Sequence, residues 1–584
     1  MPGRTCSSEW ICFPADQFLD AHQLVQVPLT KKNKLCLVTL LDLKEFFSRI
    51  NTSPRAGRAK LTLALGIGLL SFLLPVSNAD ALQGNNASAL VVTGDLAPGT
   101  NGDTFGFIGS PVLNNVGDFA FTATLNGGGR GIWRWSNGSL ESIAISGQNI
   151  SGLENISFVN TPARLSIDDL GQVGFSATLS STGSLSGNTG LFLATPTSTQ
   201  VIALEGGAVP GADGDVRFGD FGVLSSNTAF SHARNGQVAF DSSLTGSGTT
   251  NDNNVGFFSG TAGNISLVAR EGDVAPNGEL FALSSTASRV ESINTNGQIV
   301  FTARLGGDTA VLTNSSSGLS IVAIEDTTPV GFDPGQEFFR LSGSEPSINS
   351  AGNIALGAEV FQPLNGQSGV FVGADNPLIP QVQSGDTVSG DPSLVISRID
   401  EAVINANDDF AFEGNLGSVF TSVNGDIQVF AVEDTEVVDR PGFTFNRIDQ
   451  FVFNGNGSVA ILSSLDGPTG AEFGGFSSVA ERGLFVGNPD GTLDTVVVEG
   501  DEFELGDGDI RTVDGVFVTG FFHTGNEDGR ASFFNEAGDL ATLLSFDDNT
   551  AAIVVFQTAA VPEPGSGMIL LLGGLIYACR RKRS

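Results

Sequence analysis

Asn114-Asn115-Val116-Gly117-Asp118-Phe119-Ala120-Phe121-Thr122-Ala123-Thr124-Leu125 is the stretch from which the fold of this chain is read. Asn and Gly open it as turn residues: both tolerate positive φ, and an Asn side chain can hydrogen-bond its own backbone two residues on. After the turn, Phe119, Phe121, Ala123 and Leu125 alternate with Ala120, Thr122 and Thr124, a period of two that marks a β-strand. The small Ala beside the Phe suits a strand packed closely on both faces.

The pattern returns seven more times. Phe121 becomes Phe175, Phe240, Phe301, Leu356, Phe412, Ile461 and Thr542, at separations of 54, 65, 61, 55, 56, 49 and 81 residues. Gly117 recurs as Gly171, Gly236, Gly297, Gly352, Gly457 and Gly538, with Asp408 the exception. The leading Asn114 recurs as Asn294, Asn349, Asn405, Asn454 and Asn535, and is replaced by Asp168 and Ala233. Because Ala233 can stand in its place, the Asn reads as a turn former rather than a ligand residue.

Two more strands accompany each copy. One opens with a small residue, as in Gly131-Ile132-Trp133, Gly190-Leu191-Phe192 and Gly483-Leu484-Phe485; the other is an apolar run ending in a turn, as in Val268 to Asp273 or Val497 to Asp501. A fourth strand is required before each Asn turn, as in Phe105 to Leu113. Four strands per repeat without helical periodicity predict an all-β chain, a β-propeller of eight four-stranded blades over 89–556; seven blades or a β-solenoid are the alternatives. The last copy ends at Ala551 to Phe556 without its outermost strand, while a strand of that type, Ala89 to Val92, begins the body unpartnered. Pairing the two closes the ring and removes two exposed edges.

Composition bounds the function. The 584 residues carry 28 basic and 63 acidic side chains, a formal charge of −35, with 40% hydrophobic and 16% charged residues. Such a chain can bury a core and is not a disordered acidic tail. From Leu82 to Ala560 there are 15 Arg, no Lys and 56 Asp and Glu, a balance of −41. That excludes a nucleic-acid binder relying on a basic face and disfavours anionic membranes. Cys6, Cys12, Cys36 and Cys579 all lie at the ends, so neither a disulfide nor a thiolate metal site can hold the body together.

The two ends read as processing signals. Arg55, Arg58 and Lys60 precede the apolar run Leu61 to Leu74; Pro75 and small residues follow, so 55–81 reads as a signal peptide cleaved after Ala79 or Ala81. Residues 1–54 read as an over-long start or an extended n-region. At the far end, Val561-Pro562-Glu563-Pro564 leads into the apolar run Met568 to Cys579 and then Arg580, Arg581, Lys582 and Arg583. Twelve apolar residues are short of a comfortable span, and the basic cluster would stay cytoplasmic.

Residues 561–584 resemble the PEP-CTERM sorting signal of Gram-negative bacteria, with its Pro-Glu-Pro motif, short transmembrane stretch and Arg-rich tail in the same order. The resemblance implies transient inner-membrane anchoring, recognition and cleavage by an exosortase, and delivery to the cell surface or extracellular matrix. The body, through its eight copies, resembles the tandem NxxGxxAF-repeat proteins with variable C-terminal anchors. That resemblance implies no catalytic residues.

No motif for chemistry stands out. His232 and His523 are the only body histidines and fall in different blades, with no spacing that makes a metal site; His232 is expected at a surface or edge position. There is no Gly-x-Ser-x-Gly elbow, phosphate loop or His-Glu-x-x-His. With 44 Phe against 1 Tyr and 3 Trp, stacking platforms for sugars are not expected, and Trp133 and Trp135 read as core. Calcium is the candidate cation, on Asp213, Asp215, Asp507 and Asp509 or the Asn251 to Asn254 loop. The leading expectation is an exported, non-enzymatic scaffold or binding protein with no cofactor beyond such calcium. Its partners would be the export machinery, an exosortase and extracellular polysaccharide. The alternative is a secreted hydrolase or lyase acting on polysaccharide, which should gather carboxylates, His or Arg from several blades at one end of the channel, whereas a scaffold should show none converging.

Overall fold

The computed structural model describes residues 87–558 apart from short internal stretches, the longest being 468–480. Ala79, Ala81, the sorting motif Val561, Pro562, Glu563 and Pro564, the apolar run after it, Asp213 and Asp507 lie outside the described residues. Among the described residues no helix is long and apolar enough to cross a membrane.

Eight sheets of four or five strands, with one small two-stranded ribbon, follow one another along the chain. Blade 1 shows the plan. Its inner strand is broken into Phe105–Ile108 and Val112–Leu113; the second is Phe119–Leu125, the third Arg130–Ser136 and the outermost Ser139–Ile145. Every pairing within it is antiparallel. Blade 8 takes its outermost strand from the start of the body: Ala87–Val92 pairs with Ala551–Gln557, so the ring closes as the repeat pattern predicts.

The small residue that opens each third strand has a packing reason. A Cβ at Gly131 would lie 2.7 Å from the Trp133 ring, and one at Gly483 would lie 2.6 Å from the Phe485 ring. The aromatic two residues on folds back over the glycine, and the pairing with the outer strand slips by one residue at that aromatic, a bulge that adds twist.

The core consists of wedges between blades. Eight apolar clusters each draw on two neighbouring sheets, and one of them joins Phe119, Phe121 and Trp133 of blade 1 to Ala541, Leu543 and Ile553 of blade 8. Each buried Phe contributes about 1.5–3 kcal/mol. With no cysteine in the body, these wedges and the backbone ladders carry the ring's stability. Trp133 is wholly buried, its indole N–H donating to the Pro98 carbonyl at 3.0 Å, and Trp135 packs against the same wedge.

Candidate functional site

Every repeat Asn sits where the inner strand turns into the second, and there it does two jobs. Asn294 Oδ1 accepts the N–H groups of Asn296 (2.9 Å) and Gln298 (3.0 Å), which caps the turn. Its Nδ2 donates at 2.9 Å to the carbonyl of Asn349, the same position in the next blade. Asn349 donates likewise to Asn405 (2.9 Å), Asn405 to Asn454 (3.0 Å), Asn454 to Asn535 (3.2 Å), Asn535 to Asn114 (3.3 Å) and Asn114 to Asp168 (2.8 Å). The turn reading holds, and the inter-blade link is a role that local sequence could not disclose. The accompanying Gly117, Gly171, Gly236, Gly297, Gly352, Gly457 and Gly538 all have φ between +74° and +89°, and Asp408 takes +66° in their place.

The chain of amides is interrupted at two junctions. Asp168 keeps the turn cap, accepting from Leu170 and Gln172, but a carboxylate has no N–H to pass on. Contact with blade 3 is made otherwise: His232 Nε2 of blade 3 lies 3.4 Å from Asp168 Oδ2, and the Asp169 N–H donates to the Arg234 carbonyl. Ala233 offers nothing, and blade 3 reaches blade 4 through Asn235 Nδ2 on the Thr295 carbonyl at 2.6 Å.

The longest repeat separation marks a plug. Residues 523–534 leave the inner strand of blade 8, Ile510–Phe517, and run round the inside of the ring before returning at the Asn535 turn. Carbonyls along it accept from the residue just before the turn in four blades: Thr524 from Phe453, Asp528 from Ile293, Gly529 from His232 and Ser532 from Leu113. These are inner-edge N–H groups that would otherwise lack a partner. Gly525 is pressed so closely on Ile404 that an added Cβ would lie 1.8 Å from its carbonyl oxygen. The 81-residue gap was the one sequence signal of this insertion.

Charged side chains converge on the plug. Arg530 donates to four backbone carbonyls, those of Glu291 (3.2 Å), His523 (2.8 Å), Glu345 (3.2 Å) and Pro346 (3.1 Å). Asp528, wholly buried, accepts from Ser347 and Thr524. Arg289 ties Glu291 at 2.7 Å to Glu345 at 2.9 Å. His523 stacks on Phe451 and accepts the Phe451 N–H at Nδ1, which leaves the proton on Nε2, 3.4 Å from Glu401 and 3.5 Å from Glu413. Burial would lower the His523 pKa, but Glu401, Glu413 and Glu345 outweigh it and hold it above the ordinary histidine value.

Two carboxyls of this arc keep an oxygen without a hydrogen-bond partner, Asp241 Oδ1 and Glu345 Oε2. Burial, with Glu291 nearby, pushes Asp241 up to about 7; burial and the Glu401 carboxylate push Glu345 up to about 7. Both histidines are buried: His232 keeps the expected edge position, on an inner edge strand that the plug covers, and His523 belongs to the plug itself. Ser166 Oγ lies 3.0 Å from His232 Nδ1, with Asp168 on the other nitrogen. The adjoining cavity of about 20 Å³ has room for a single water, so this trio has no substrate space and serves packing between blades.

Of the calcium candidates, Asp213 and Asp507 lie outside the described residues. Asp215 pairs with Arg217 at 2.8 Å, Asp509 pairs with Arg511 at 2.7 Å, and Asn253 Oδ1 caps its own loop. Among the described residues no group of three or more His, Cys, Asp or Glu could hold a metal ion.

The sequence model described as "Family of unknown function (DUF7453)" matches this chain over residues 80–259, 124–319 and 232–568, overlapping spans that together cover most of it. No curated protein matches. A crystal structure of puromycin hydrolase aligns over 76% of this chain at 11% identity and a TM-score of 0.31. The chain spans about 63% of that protein's length, and at such a score the likeness carries no argument.

Proposed function

The chain belongs to the DUF7453 family, a family of unknown function, and from that premise we propose an exported, non-enzymatic ring that acts at the cell surface or in the extracellular matrix as a scaffold or binding module. The observation that carries the non-enzymatic part is the plug: its backbone and that of blades 4 and 5 hold Arg530, and its own His523 engages two of the converging carboxylates. Side chains from several blades do converge, yet the cluster is engaged in holding the chain's own segment. Export is supported by the signal at 55–81 and by a body without Lys or Cys. Sorting is supported by the likeness of 561–584 to an exosortase substrate, cleaved near Val561-Pro562-Glu563-Pro564. Deleting Val561 to Ser584 is expected to abolish surface display; unchanged processing and location would sink the sorting claim.

One observation favours the second reading, a secreted hydrolase or lyase acting on polysaccharide. Glu345, raised to about 7, lies beside Glu401, whose side chain is 31% exposed. A carboxyl that keeps its proton to near neutrality is what a general acid needs. Incubating the purified protein with neutral and acidic polysaccharides decides between the two: no new reducing ends are expected, and release that disappears in Glu345→Gln would establish the enzyme instead.

A further inference from the structure

The turn face of the ring carries a groove of about 370 Å³ between blades 3 and 4. It lies at the junction where Ala233 leaves the chain of Asn amides open. Its walls are the Asn turns and the outer hairpins of both blades, with Gln237, Asn264 and Ser266 from blade 3 and Asn296, Asn314 and Leu319 from blade 4. Within a body of −41, none of its lining residues is ionisable.

These side chains have hydrogen-bonding capacity to offer. Among the described residues the Gln237 and Asn264 amides and the Ser266 hydroxyl have no hydrogen-bond partner. Asn296 uses its Nδ2 on the Ser350 carbonyl and keeps its oxygen; Asn314 uses its oxygen on the Ile299 N–H and keeps its amino group. Both donors and acceptors thus line one concavity, with Leu319 beside them as an apolar residue. An amide presents a donor and an acceptor side by side, which matches hydroxyl groups that are both. A cationic ligand finds no counter-charge in the groove, and an anionic one is repelled by the surrounding acidic surface.

We propose that this groove binds an uncharged, multiply hydroxylated ligand, a segment of neutral polysaccharide held by amides rather than by aromatic stacking. The proposal rests on the binding role put forward above and gives it a place and a ligand class. Its test uses neutral hexasaccharides of glucose, mannose and galactose, with an alginate hexamer as the acidic comparison, measured by calorimetry against the whole protein. At least one neutral hexasaccharide should bind while alginate does not. The Gln237→Ala, Asn264→Ala double variant should weaken that binding about tenfold at unchanged melting temperature. No neutral binding, equal binding of alginate, or binding untouched in the folded double variant would overturn the site. Export and processing are read separately by location, so a failure here is distinguishable from a failure of the sorting claim.

Discussion

At Asn294 a side chain of two polar atoms holds a turn with one and the neighbouring blade with the other. Replacing it by Ala removes both cap bonds and both donations, a loss of about 2–4 kcal/mol. Asn294→Asp keeps the cap, and Gln298 can turn its amide toward the carboxylate as Gln172 does at Asp168. Only the link to Asn349 is lost, so the cost should fall to about 1–2 kcal/mol. Urea unfolding midpoints rank the two; a change below about 0.5 kcal/mol for Asn294→Ala would mean that the link carries no load. Asp241 and Glu345 give a second outcome. Each holds its proton up to about 7, above the ordinary values of 3.8 and 4.5, so the folded chain binds more protons than the unfolded one in that window. Stability therefore falls as pH rises from about 5 to 7, by up to about 1.4 kcal/mol per unit for each group. His523 acts in the same direction: the stability it lends below the ordinary histidine value is lost as pH rises through its raised one. Thermal melts across that range should decline toward neutrality, and Asp241→Asn with Glu345→Gln should flatten the slope.

Among the elements, the plug departs furthest from the repeat plan. The alternation of Phe119, Phe121, Ala123 and Leu125 and the Asn-x-x-Gly turns are local signals, and they were enough to place the strands, count the blades and pair the first strand with the last. The partners of Arg530 lie elsewhere: the Glu291 and Glu345 carbonyls are 239 and 185 residues away, and nothing in the sequence around Arg530 announces them. The same distance hid the burial of both histidines and the second job of each Asn. Arg530→Ala should free the plug, and Lys cannot replace a guanidinium that reaches four carbonyls in different directions. Hydrogen exchange tests this directly: the amides of Leu113, His232, Ile293 and Phe453 should exchange much faster in Arg530→Ala, while those of the outer hairpins stay as they were. Unchanged protection at the four inner positions would show that the plug is held without Arg530.

Taken whole, the body is a ring under electrostatic tension. It carries −41, and its 15 Arg have no Lys or disulfide beside them to offset the repulsion. Screening should therefore stabilise it: the melting temperature is expected to rise between about 10 mM and 200 mM salt, where the Debye length shrinks from about 30 Å to under 10 Å. A fall with salt would mean that local ion pairs such as Arg440–Asp501 outweigh the overall repulsion. The closing strand bears on a different matter, the timing of folding. Ala87–Val92 is the first strand of the ring to leave the ribosome, and its partner, Ala551–Gln557, is the last. No prefix of the chain can complete the ring, because the opening strand, the plug and the final Asn link all wait for residues beyond 520. Contacts of such long sequence separation form slowly. The body therefore stays open until its synthesis is finished, and a chain that is still open is one that a translocation pore can thread.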